Sequence, residues 1–125
     1  MKFGSERLKE DLDLLGHPAE QIEDPQKNQF VVIHGYTVEL GRFAGRVIDL
    51  AVPAPANFPQ GVASAIHLRS SPHLLDTGDS VPNVRNITAS SLGAEWRYWS
   101  KNFEWVGEKT TRRLLSQINE IFLNA

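Results

Sequence analysis

No cysteine occurs among the 125 residues. Disulfides, thiolate zinc sites, iron–sulfur clusters and a thiol nucleophile are thereby excluded for this chain. Charge of one sign is also missing: 13 Lys and Arg stand against 15 Asp and Glu, a net charge of -2. Such a balance gives no field that would gather phosphate backbones, so nonspecific nucleic-acid binding is disfavoured. No apolar run reaches the roughly 18 residues of a membrane span. The opening stretch MKFGSERLKEDLDLL carries charges where a signal peptide needs its apolar segment, so a cytoplasmic protein with no membrane association is expected. GxGxxG, a Walker loop, GxSxG, HxH and HExxH are all absent. Dinucleotide binding, the α/β-hydrolase scaffold and a histidine metal centre lose their usual signatures, and neither cofactor nor metal is expected. The composition fits a single domain over residues 1–125, without repeats or low-complexity segments.

What is present begins with helical spacing. Leu8, Leu12 and Leu15 recur at i, i+4 and i+7, with charged residues opposite, and Gly16 and Pro18 end the pattern. This predicts an amphipathic helix over Ser5–Leu15, with Ser5 as its cap. Ala19–Asn28 is polar and ends in Asp24-Pro25, which reads as a connector. Three short strands follow: Phe30–Ile33; Tyr36, Val38 and Leu40 in alternation; and Val47–Val52. The proline-rich VPAPANFPQG leads to a fourth strand, in which Ile66 and Leu68 face inward and His67 and Arg69 outward. The expectation is a four-stranded antiparallel meander. A last helix over Lys109–Leu123 buries Leu114, Leu115, Ile118, Ile121 and Phe122.

Ser70–Gly107 has no sustained period and reads as a long functional loop. It holds Trp96, Trp99 and Trp105 together with Tyr98 and Phe103. Interleaved with Arg97 and Lys101, these rings suggest a platform for single-stranded nucleic acid; the simpler reading is that they pack onto the sheet. Each of the four histidines stands alone in sequence, and His34 and His67 read as surface strand positions.

The order of elements resembles the ubiquitin-conjugating (E2) fold. In that family a Pro-x-x-Tyr-Pro flap follows an apolar strand, then come another strand, a His-Pro-Asn turn, the nucleophile loop, a Trp and a helix. Here Phe58-Pro59 stands in the flap, and Trp105 precedes the last helix. The likeness runs from residue 28 to 123 and is nearest to prokaryotic E2 family E. Members of that family carry a Trp-Ser-Arg-His-like element, matched by Trp99-Ser100-Lys101-Asn102. The resemblance implies an α+β fold with an N-terminal helix, a four-stranded meander, a long active-site loop and a C-terminal helix. Two departures stand out. The His-Pro-Asn turn is only approximated, by Ser71-Pro72-His73 and by Pro82-Asn83, and no cysteine is available for a thioester.

Counting back from Trp105, as the resemblance directs, reaches Arg97–Ser100, which makes Ser100 the expected nucleophile. A hydroxyl needs a base and oxyanion donors. Lys101 would set the local potential, Asn102 would donate to the oxyanion, and His73 or His67 would be the base if the fold brings it within reach. Ser90, Ser91 and Thr88 compete for the role; otherwise they serve as turn and capping residues. The resemblance further implies an E1-like activating enzyme and a ubiquitin-like protein as partners, and a deconjugating peptidase from the same operon. It also implies a serine oxyester intermediate and a role in antiphage defence. The alternative is an inactive E2 variant that only binds such partners.

Overall fold

The computed structural model describes residues 2–82 and 84–125. Its elements are α1 (Gly4–Leu14), β1 (Ala19–Glu23), β2 (Gln29–Thr37), β3 (Val47–Pro53), β4 (Ala65–Arg69), β5 (Ile87–Ser90), β6 (Gly93–Ser100) and α2 (Thr111–Asn124). The strands form one antiparallel sheet in the order β1-β2-β3-β4-β6-β5. The α+β class stands, and the arrangement is compatible with an E2-like fold, but the sheet has six strands where four were expected. Asn83, half of one approximated turn motif, lies outside the described residues.

Three local differences account for the larger sheet. Ala19–Glu23 is an edge strand, although its sequence AEQIE has one strong apolar residue, because it pairs from Ala19 opposite Ile33 to Glu23 opposite Gln29. Phe30–Ile33 and Tyr36–Thr37 belong to one strand: the register against β3 slips between Ile33 and Tyr36, where Gly35 adopts φ +70. A bulge has the same sequence signature as a turn. The supposed long loop contains the β5–β6 hairpin, so the tryptophan stretch is mostly strand.

The two helices cover one face of the sheet. Leu8 and Leu12 of α1 and Leu114, Ile118, Ile121 and Phe122 of α2 are buried against Val31, Ile33, Leu50, Val52, Ile66 and Trp99. Thr110 caps α2, its hydroxyl accepting from the Arg113 N–H at 3.2 Å. Ser5 does not cap α1; it lies inside the helix, and its hydroxyl accepts from the Gln21 side chain at 2.9 Å. Gly41 closes the β2–β3 connection at φ +80, and a Cβ there would stand 2.1 Å from the Phe122 carbonyl oxygen, so only glycine fits beside the end of α2.

The other face carries a smaller cluster of Phe30, Val32, Ala51 and Trp96. It is strongly curled. Five inter-strand gaps would place the edges of a flat sheet about 24 Å apart. Here the turns of the two edge hairpins touch, the Ser91 hydroxyl donating to the Asp24 carboxylate at 2.8 Å. Twist and bulges of this kind turn a sheet into a trough.

Candidate functional site

Alternation along β6 distributes its aromatic residues between the two faces. Trp99 belongs to the helix-covered core and is fully buried, whereas Trp96 belongs to the cluster in the trough. The rings therefore do not form one stacking surface for nucleotide bases. Trp105 lies beyond the strand, stacked on Phe58 at 6.5 Å, with its Nε1–H donating to the Pro59 carbonyl at 2.7 Å. The flap and the tryptophan before the last helix are thus in direct contact.

Ser100 ends β6 opposite Ala65, the first residue of β4. Its N–H donates to the Asn86 carbonyl and its own carbonyl accepts from the Arg85 N–H, both at 2.9 Å. The hydroxyl is 3.5 Å from the Arg85 guanidinium, and the residue is 3% exposed. Lys101 is held by its backbone, the N–H donating to the Ser64 carbonyl at 2.9 Å, and Asn102 is exposed in the segment leading away. His73 follows the opposite end of β4, beside Arg69, Ser70 and Asp49 in a separate cavity. Four strand steps, about 13 Å, separate the two ends of β4. Lys101 and Asn102 thus adjoin Ser100 by chain connectivity alone, Arg85 being the side chain at its hydroxyl, and His73 stands elsewhere.

His67 is not a surface residue; it is 5% exposed. It points into the trough between the rings of Phe30 and Tyr98, which meet it edge-on at 4.9 and 5.2 Å. Its Nδ1 lies 2.7 Å from the Ser90 hydroxyl. Burial pushes its pKa from 6.5 down to about 4, against a smaller upward pull from the Asp24 charge. The imidazole is consequently neutral at physiological pH.

Asp24 forms the third corner of this cluster and is itself buried. Burial acts to raise its pKa, but hydrogen bonds from Asn28, Ser91 and Gln26 outweigh that and hold it below the ordinary carboxylate value. Beside these residues lies a cavity of about 590 Å³, open to solvent, lined by His67, Tyr98, Thr88, Ala89 and Ser91 and by the ends of β3 and β4. Among the described residues, no three His, Asp or Glu side chains converge as metal ligands would.

Sequence reasoning offers His67 as a base and Ser90 and Ser91 as rival hydroxyls, but it does not join them or include Asp24, for identifiable reasons. Asp24 reads as a turn residue, which it also is: its carboxylate accepts from the N–H groups of Gln26 and Asn28. Ser90 and His67 are 23 residues apart and meet only because β6 lies between β4 and β5. No spacing rule encodes that meeting.

A hydroxyl beside a neutral imidazole, next to an open cavity, can give its proton to that imidazole as it attacks a carbonyl. No curated protein and no solved structure matches this chain. Residues 6–122, almost the whole length, match the family model described as prokaryotic E2 family E. The chain belongs to that family, and with it to the E2-like components of bacterial ubiquitin-like conjugation.

Proposed function

We propose that this protein carries an acyl group as a hydroxyl ester. An E1-like enzyme presents the activated C-terminus of a ubiquitin-like protein, a serine of this chain accepts it, and an amine or hydroxyl on a target takes it. The observation that carries the reading is an E2-family chain with no cysteine at all. In the first transfer, serine Oγ forms a C–O bond to the carbonyl carbon. The bond to the leaving thiolate or adenylate breaks, and the hydroxyl proton passes to a base and then to the leaving group. The family resemblance also supports a cytoplasmic setting, a deconjugating peptidase as a further partner and a part in antiphage defence.

Ser100 suits this role by its place ahead of Trp105, with Lys101 and Asn102 adjoining. Its 3% exposure means that the end of β6 must part from β4 before a carbonyl can approach. That same burial favours a second reading, in which the chain binds E1-like or ubiquitin-like partners without chemistry. Intact-mass measurement of the chain with its E1-like and ubiquitin-like partners and ATP, followed by hydroxylamine, separates the two. The carrier reading expects an adduct that hydroxylamine removes. A stable noncovalent complex with no adduct would establish the binding module instead.

A further inference from the structure

We propose that the nucleophile of this chain is Ser90, with His67 as its base. The inference deepens the ester-carrier reading and rests on it for the identity of the acyl group.

Hydrogen-bond accounting leaves the Ser90 proton available for the key contact. Ser90 Oγ has one proton and two lone pairs, and it already accepts the Leu92 N–H at 3.0 Å. With a neutral ring, two arrangements satisfy the 2.7 Å contact: Nδ1–H donating to the second Ser90 lone pair, or the one assigned by the proposal, in which the Ser90 O–H donates to Nδ1 and Nε2 carries the ring proton. The latter is the tautomer a general base requires. The Leu92 bond by itself is an ordinary serine turn at the β5–β6 hairpin, and it does not call for an imidazole at the hydroxyl. Phe30 and Tyr98 fix the ring from two sides. The charged and titratable groups facing it are Asp24, from the β1–β2 turn, and Tyr98; Asp49 and Arg69 pair with each other further along β3 and β4. Asp24 does not bond the ring. It is a positioning residue whose charge stabilises the imidazolium formed when the proton arrives.

The cavity supplies the approach. Ser90 is partly exposed, and its neighbours Ala89 and Ser91 line the 590 Å³ space. The opposite wall, Ala54, Ala63, Ser64 and Ala65, has short side chains that leave room for an extended chain terminus. Ser100 has no imidazole partner among the described residues and sits at a closed strand end, 3% exposed. In the reaction, Ser90 Oγ bonds to the carbonyl carbon of a thioester or acyl adenylate. His67 Nδ1 takes the hydroxyl proton and returns it to the departing thiolate or phosphate oxygen. The product is an ester on Ser90.

The test has two arms on the full chain. A fluorophosphonate probe, needing no partner protein, should label Ser90 on peptide mapping, with the phosphorus–oxygen bond forming as fluoride leaves. Labelling should vanish in Ser90→Ala and fall about a hundredfold in His67→Gln, the usual scale of a lost general base. Its pH profile should fall off near 4 rather than near the ordinary histidine value of 6.5. In the second arm, the partner mixture with ATP should give a hydroxylamine-sensitive adduct at Ser90. Ser90→Cys should convert it to a thioester released by dithiothreitol, a gain that misfolding cannot imitate. No label on Ser90, or label indifferent to His67→Gln in a variant of unchanged circular dichroism, overturns the pair. An adduct mapped to Ser100 also overturns it, while the carrier reading survives. Label on Ser90 without any adduct in the partner mixture does the opposite.

Discussion

The two faces of one sheet differ in what they exclude. The helix-covered face is closed and apolar from Leu8 and Leu12 through Trp99 to Phe122, and it has one unmatched group, the Trp99 Nε1–H, which finds no acceptor among the described residues. The trough holds a small apolar cluster and surrounds it with polar groups that satisfy one another: Ser90 with His67, Ser91 with Asp24, Arg69 with Asp49. Burial on the first face holds the molecule together. Burial on the second keeps an imidazole neutral beside a hydroxyl. Stability and reactivity should therefore respond to different substitutions.

The largest effect should come from the closed face. Phe122 packs against Trp99 and Tyr36 at 5.8 and 6.1 Å between ring centroids. Phe122→Ala should cost about 3–5 kcal/mol in urea unfolding. Probe labelling at Ser90 should nevertheless persist in whatever fraction remains folded.

A somewhat smaller effect should come from acid. Between pH 6.5 and about 4 the unfolded chain protonates His67 while the folded chain does not. Stability is thus fully present above that window and declines as pH falls through it, by about 3 kcal/mol in total. His67→Gln should flatten the decline in a denaturant series measured across those pH values. Asp24 and Asp49, both held below 3.8, lose their contributions only at lower pH, which keeps the two processes apart. An unaltered pH slope in His67→Gln would mean that water reaches the ring and its burial does not set its titration.

The smallest effect should come from the rim of the trough. The Arg69 guanidinium reaches Asp49 at 2.8 Å with both side chains partly in water, and it also lies over the Trp96 ring at 4.8 Å. Exposed pairs of this kind contribute less than about 1 kcal/mol. Asp49→Asn should accordingly leave the urea midpoint nearly where it was and leave Ser90 labelling intact. A loss of labelling would extend the reactive site toward β3.

Legibility from sequence followed the same division. Elements packed on the closed face announce themselves: Leu114, Ile118 and Phe122 repeat with helical period, Leu8 and Leu12 do so in α1, and the apolar runs of β3 and β4 stand in their places. In the trough the pattern fails, because strands that bury polar side chains no longer alternate cleanly. Glu20, Gln21 and Glu23 concealed β1, and Gly35 divided β2 in two. His67 reads as exposed because, like Arg69, it alternates with the inward Ile66 and Leu68, yet the rings of Phe30 and Tyr98 cover it from two sides. Ser100 was singled out by its distance from Trp105 in sequence. Ser90 gains its partner only from the strand order, which tertiary pairing decides.

The hydroxyl–carboxylate bond from Ser91 to Asp24 has a kinetic consequence. It joins residues 67 positions apart, at the two margins of the sheet, and so long-range a contact is expected to close late in folding. Contacts that close last are absent from the folding transition state and appear in the unfolding rate alone. Ser91→Ala should therefore leave the refolding arm of a chevron where it is and raise the unfolding arm, marking this clasp as the first thing to give way when the molecule opens.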